Sequence, residues 1–172
     1  MFQMAFVYEL PTGKGKAFAQ EGVASKILGG WQLNGNVSLI AGRPFTVVAD
    51  GGSLNAPGNT QTADQVKPVV EKIGSLDQFY DRTAFARVSE TRFGNTGRNI
   101  LRGPGVANLS LSLFRDFPIG ERFKLQFRAE SFNFTNTPHF NNPDGNVNNA
   151  AFMRITSAVD DQRTFRFGLR TT

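Results

Sequence analysis

Polar and apolar residues alternate without a miss from Asn108 to Leu113 and again from Phe123 to Glu130. Strict period-two alternation puts one class of side chain on each face of a strand. The turn Pro118-Ile119-Gly120-Glu121 between the two runs therefore predicts a β-hairpin. One face of it carries Leu109, Leu111, Leu113, Phe123, Leu125, Phe127 and Ala129. The other carries Asn108, Ser110, Ser112, Lys124, Gln126, Arg128 and Glu130.

The same period recurs three more times. Phe2, Met4, Phe6, Tyr8 and Leu10 share a face, and Pro11-Thr12-Gly13-Lys14-Gly15-Lys16 ends that run as a turn. Trp31, Leu33, Val37 and Leu39 alternate with Gln32, Asn34, Asn36 and Ser38, with Gly35 the one gap on the apolar side. Phe165, Phe167 and Leu169 alternate with Arg166 and Arg170. The pattern predicts an all-β, antiparallel up-and-down meander of about five strands, near 1–10, 27–48, 106–117, 122–134 and 163–172, with a bulge or kink at Gly42 and Pro44. Long loops are expected over 49–104 and 135–161, where Gly, Asn, Asp, Thr and Pro break every period; residues 77–85 predict a short turn or helix. Long irregular connections in a compact domain are normally functional. The first closes with Arg92, Arg98 and Arg102 among glycines, which marks them as candidate ligand contacts.

Composition agrees with a turn-rich β chain: 172 residues, 18 Gly, 17 Phe and 40% hydrophobic. Cysteine is absent, which removes disulfides and thiolate metal sites. The net charge is +5, but the basic residues are spread along the chain, so a nucleic-acid surface is not expected. Gly13-Lys14-Gly15-Lys16 lacks the spacing of a phosphate loop. His139 stands alone, so no zinc or haem site is expected and Pro138-His139-Phe140 reads as a loop anchor. Asp144-Gly145-Asn146-Val147-Asn148 opens like a calcium loop, but Asn149 and Ile155 stand where an EF-hand needs Gly and Glu. Glu121 with Glu130, or Asp160 with Asp161, lack a neighbouring nucleophile or orienting group, so an enzyme is not expected and no cofactor is implied. No apolar run approaches the ~18 residues of a membrane helix, and Met1–Leu10 does not read as a secretory signal.

Alternation fits two architectures. In a soluble sandwich the apolar face points inward; in a transmembrane barrel it points to lipid and the polar face lines the lumen. Three features favour the barrel. Short and long connections alternate, as periplasmic turns and extracellular loops do. Strands of about ten residues, rising ~3.3 Å each and tilted, cover an apolar band of ~25 Å. Aromatics (Trp31, Phe45, Phe114, Phe117, Phe132, Phe134, Phe165) crowd the strand ends as interface girdles do. Gln32, Asn34, Asn36, Lys124, Gln126, Arg128, Glu130, Arg166 and Arg170 are then lumen-facing. The rival reading is a soluble β-sandwich that binds through loop 49–104.

Several motifs carry a family resemblance. Gly29-Gly30-Trp31-Gln32-Leu33, Ala41-Gly42-Arg43-Pro44-Phe45, Phe93-Gly94-Asn95 with Arg98-Asn99, Arg102-Gly103-Pro104-Gly105, Phe127-Arg128-Ala129-Glu130-Ser131-Phe132-Asn133 and Phe167-Gly168-Leu169-Arg170 come in this order. Together they resemble the C-terminal barrel of TonB-dependent outer-membrane receptors, nearest the Oar-like subgroup with a carboxypeptidase-regulatory-like domain. The resemblance implies outer-membrane lipid, the rest of the receptor barrel and plug, TonB and the barrel-assembly machinery as partners. It also implies ligand import by the intact protein and lumenal charges that pair across strands and meet the plug. Single-chain barrels start at about 8 strands, so five are expected to be a piece of a larger receptor.

Overall fold

The computed structural model describes residues 1–120 and 122–171, and the chain divides into two compact units. The first comprises Met1–Ile40, Ala107–Thr137 and Asp161–Thr172; the second comprises Ala41–Val106 and Pro138–Asp160.

Five long strands build the first unit: β1 (Phe2–Glu9), β2 (Trp31–Ile40), β3 (Val106–Ile119), β4 (Phe123–Phe132) and β5 (Thr164–Thr171). They form one antiparallel sheet in chain order, the up-and-down meander that the alternation predicts. Register fixes the faces, because residues paired across an antiparallel ladder point the same way. Leu113 pairs Ala129, which pairs Phe167; Phe117 pairs Leu125; Phe2, Met4 and Tyr8 pair Leu39, Val37 and Leu33. These residues make an apolar face. Ser112, Glu130 and Arg166 form a row on the opposite face, as do Asp116, Gln126 and Arg170. The gap at Gly35 is filled from across the ladder: Phe6 pairs it and lays its ring where a Cβ would stand.

No hydrophobic residue of the five strands is buried among the described residues; Phe167 and Leu169 are 72% and 70% exposed. Leu109, Leu111, Leu125 and Phe127 are half-buried within the sheet. An apolar face this open is incompatible with water as its only neighbour.

The strand expected over 27–48 is shorter. A helix, α1 (Gly22–Leu28), takes its first residues, and β2 stops at Ile40. Beyond it, Gly42 lies so close to the Gly103 carbonyl that a Cβ could not fit, and Pro44-Phe45 pair instead with Arg102 and Leu101. At the hairpin, β3 runs two residues past its predicted end. Pro118 and Ile119 still pair with Lys124 and Phe123, and Gly120 (φ +68°) opens the turn; Glu121 lies outside the described residues. Proline lacks an N–H and is tolerated at a strand's end. β4 stops at Phe132 because Asn133 adopts the left-handed region (φ +47°) and turns its amide onto the backbone. Its Oδ1 accepts from Thr137 N–H at 3.0 Å, and its Nδ2 donates to the Asp161 carbonyl at 2.9 Å.

The segments expected to be loops, together with residues 41–48 of the expected second strand, build the second unit, which has its own core. Val47, Ala63, Ala84 and Met153 are fully buried, together with Phe45, Phe79, Tyr80, Phe85, Leu101 and Phe152. Three two-stranded ladders frame it: Pro44–Phe45 with Leu101–Arg102, Val48–Asp50 with Thr60–Thr62, and Asp64–Gln65 with Phe85–Ala86. A 3-10 turn over Arg82–Ala84 is capped by the Asp81 carboxylate, which accepts from Thr83 N–H at 2.9 Å.

Candidate functional site

On the polar face of the sheet, Gln32 Nε2 donates to Asn34 Oδ1 at 2.8 Å, and Gln126 Nε2 donates to Asp116 Oδ1 at 2.8 Å. Glu130 sits opposite Arg166, an opposite-charge cross-strand pair. Phe114 and Phe132 also belong to this face, and arginines cover them. The Arg128 guanidinium lies 4.6 Å from the Phe114 ring centre, and that of Arg166 lies 4.9 Å from Phe132. Arginine stacked on an aromatic keeps its charge while shielding the ring. The Arg128 Nε is buried without a partner, so this donor has capacity left. Register thus places Lys124, Gln126, Arg128, Glu130, Arg166 and Arg170 on one face of β4 and β5. Gln32, Asn34 and Asn36 share a face of β2. The face is a wall of polar groups held in cross-strand rows.

The three loop arginines differ. Arg92 grips the buried Asp64 carboxylate with two bonds of 2.8 Å and also reaches Glu90 at 2.8 Å. That bond holds the Asp64 carboxyl below its usual range, and Asp64 and Glu90 raise the Arg92 guanidinium in turn. A bidentate pair on a buried carboxylate is a strut. Arg102 donates to the Gly42 carbonyl at 3.3 Å, while its own carbonyl accepts from the Tyr80 hydroxyl at 2.8 Å. Arg98 is exposed and no acidic group pairs with it among the described residues.

The motif residues nearby hold the unit together. A Cβ on Gly94 would collide with the Thr62 and Ala63 carbonyls, and the Asn95 Oδ1 accepts from Gln65 N–H at 2.6 Å. His139 is buried, and its carbonyl accepts from Val159 N–H at 2.7 Å. The calcium-like stretch is engaged with amides: Asp144 accepts from Asn146 N–H at 2.8 Å and Asn149 Nδ2 at 2.9 Å, and Asn148 donates to Asp50. Among the described residues, no three His, Cys, Asp or Glu side chains converge as a metal site.

Sequence reasoning missed Arg115. It stands opposite Phe127 on the apolar face, where its guanidinium lies 5.4 Å from the Trp31 ring centre and 4.3 Å from that of Phe117. Trp31 in turn meets Phe127 edge-on at 5.9 Å. The signal was available: Arg115 occupies the apolar phase of the Leu109-Leu111-Leu113 series.

No curated protein and no solved structure matches the chain. A family model described as an outer membrane beta barrel domain matches residues 1–166. With an exposed apolar face, a segregated polar face and this match over nearly its whole length, the chain belongs to the outer membrane beta barrel domain family and resides in the outer membrane.

Proposed function

We propose that this chain is a wall segment of a TonB-dependent outer-membrane receptor of the Oar-like kind, whose intact form takes up a ligand across the outer membrane. In this reading the apolar face of the sheet contacts lipid and the polar face lines the lumen towards a plug. The observation that carries it is the segregation of side chains on a single sheet whose strands bury no hydrophobic residue. β1 and β5 are edge strands, and bare strand edges are not tolerated in lipid, so further barrel strands complete the ring. The segment performs no catalysis. Of the loop arginines, Arg98 is the one free to meet a ligand, while Arg92 and Arg102 brace the loops.

Single cysteines test this in the intact protein in its native membrane. At Leu111 and Leu125, reaction with a lipid-soluble probe and protection from a water-soluble maleimide are expected; at Ser112 and Gln126 the reverse. Equal maleimide labelling on both faces would overturn the barrel orientation. Ligand uptake unchanged in cells lacking TonB would overturn the receptor assignment alone.

A further inference from the structure

The connection between β1 and β2 carries a feature that the wall does not require. The last carbonyls of α1 are held by the sheet. The Arg115 guanidinium donates to the Lys26 and Ile27 carbonyls, and the Trp31 indole donates to Ile27 at 3.0 Å. Both side chains belong to the apolar face, since Arg115 pairs Phe127 and Trp31 packs on Phe127. The helix C-terminus therefore lies on the apolar side, at the end of the sheet that also holds the β3–β4 turn. Its own apolar residues remain uncovered: Val23 is 71% exposed and Ile27 59%, one turn apart, and Phe18 just before the helix is 65% exposed.

The same connection also carries a basic cleft. Lys14, Lys16 and Lys26 line a cleft with Gly13 and Ser25, and Glu21 is its one carboxylate. Glu9 engages Lys16 at 2.9 Å, whereas Lys14 and Lys26 have no acidic partner among the described residues. An apolar helix face beside unpaired lysines, with a tryptophan at the junction, is the pattern of a segment lying in a headgroup layer.

We infer that residues 11–31 form a membrane-surface foot that binds anionic phospholipid headgroups. In it, Val23, Ile27 and Phe18 enter the acyl boundary, and Lys14 and Lys26 meet the phosphates. The foot is continuous with the lipid-contacting apolar face through Trp31 and Arg115, and its charge is complementary to an anionic surface. The inference rests on the lipid-facing orientation proposed above. The short β3–β4 turn lies at the same end of the sheet and by the periplasmic-turn rule places the foot in the periplasmic leaflet.

Trp31 is the one tryptophan of these 172 residues and sits at the foot, so with any tryptophan elsewhere in the intact protein replaced by phenylalanine its emission reports directly. The intact protein is reconstituted in vesicles containing brominated phosphatidylglycerol or brominated phosphatidylcholine at equal mole fraction, the remainder being unbrominated phosphatidylcholine. Stronger quenching by the anionic lipid is expected. Lys14→Gln and Lys26→Gln are each expected to lower the preference about fivefold while bulk quenching persists. Equal quenching by the two lipids in the unmodified protein overturns the foot but leaves the barrel orientation standing. Absence of quenching by either lipid overturns the lipid-facing orientation itself. An anionic preference that survives when Lys14→Gln and Lys26→Gln are combined assigns the selectivity elsewhere and also overturns the foot.

Discussion

The sheet and the loop unit bury their apolar residues in opposite ways. The loop unit encloses Val47, Ala63, Ala84 and Met153 completely, between and beside strands only two or three residues long. The sheet has strands of eight to fourteen residues and encloses no apolar side chain among those described. Long regular ladders satisfy the backbone groups of the inner strands within the sheet, which is what a hydrocarbon solvent demands, and in the proposed orientation lipid completes their apolar face. The loop unit has irregular backbone and must exclude water from its own interior, so it carries a packed aromatic core and dense local hydrogen bonds. In that orientation one chain meets two solvents, and the burial of each region follows from which one it meets.

The sharpest way to break this contrast is to remove a core side chain from the loop unit. Phe152 is buried and packs edge-on against Phe85 at 6.2 Å. Phe152→Ala is expected to cost about 3–5 kcal/mol locally. Loss of hydrogen-exchange protection across 45–101 would report it, with the ladder amides of the sheet unchanged. Unaltered protection in the loop unit would show that its core is not a cooperative one. The next effect probes the sheet. Leu111→Arg places a charge on the lipid side and is expected to cost about 2–4 kcal/mol in a bilayer, while Ser112→Arg on the polar side stays within roughly 0.5 kcal/mol. Urea titration in lipid vesicles measures both, and similar costs at the two neighbouring positions would contradict the two-faced sheet.

The sheet was legible in the sequence because a two-residue period is a direct image of its faces. Leu109 to Leu113 and Phe123 to Ala129 need no tertiary information to be assigned together. The loop unit was illegible for the complementary reason. Its ladders are too short to show a period, and its order comes from contacts distant in sequence, such as Arg92 on Asp64, Asn95 on Gln65 and Gly42 against Gly103. The glycines of the family motifs were visible, but not their purpose of letting backbones touch. α1 is seven residues long and lacks a side-chain N-cap bond, so it offered few start signals; tertiary bonds from Arg115 and Trp31 hold its end. Of the three loop arginines, residue type alone could not distinguish struts from a free cation, since that depends on whether a buried carboxylate, as for Arg92, or a backbone carbonyl, as for Arg102, stands in reach.

The smallest expected effect follows from the carboxylates bonded within the loop unit and titrates with acid. The Asp81 carboxylate accepts from Lys67 Nζ at 2.7 Å and from the Thr83 N–H and hydroxyl at 2.9 and 2.7 Å. The Lys67 bond, then the two Thr83 bonds, lower its pKa from 3.8 to about 2. Asp64 is lowered as well, mainly by its bond to Arg92. Each group binds protons more weakly folded than unfolded, so its contribution to stability is fully present above pH 3.8. For Asp81 that contribution fades as pH falls towards about 2. Hydrogen-exchange protection over 60–100 should therefore be level from pH 7 down to about 4 and decline below it. Asp81→Asn should lower protection at pH 7 and flatten the decline, because the variant has no carboxylate there left to protonate. Identical acid profiles for the variant and the parent would remove Asp81 as a source, and place the loop unit's acid response on the Arg92–Asp64 pair.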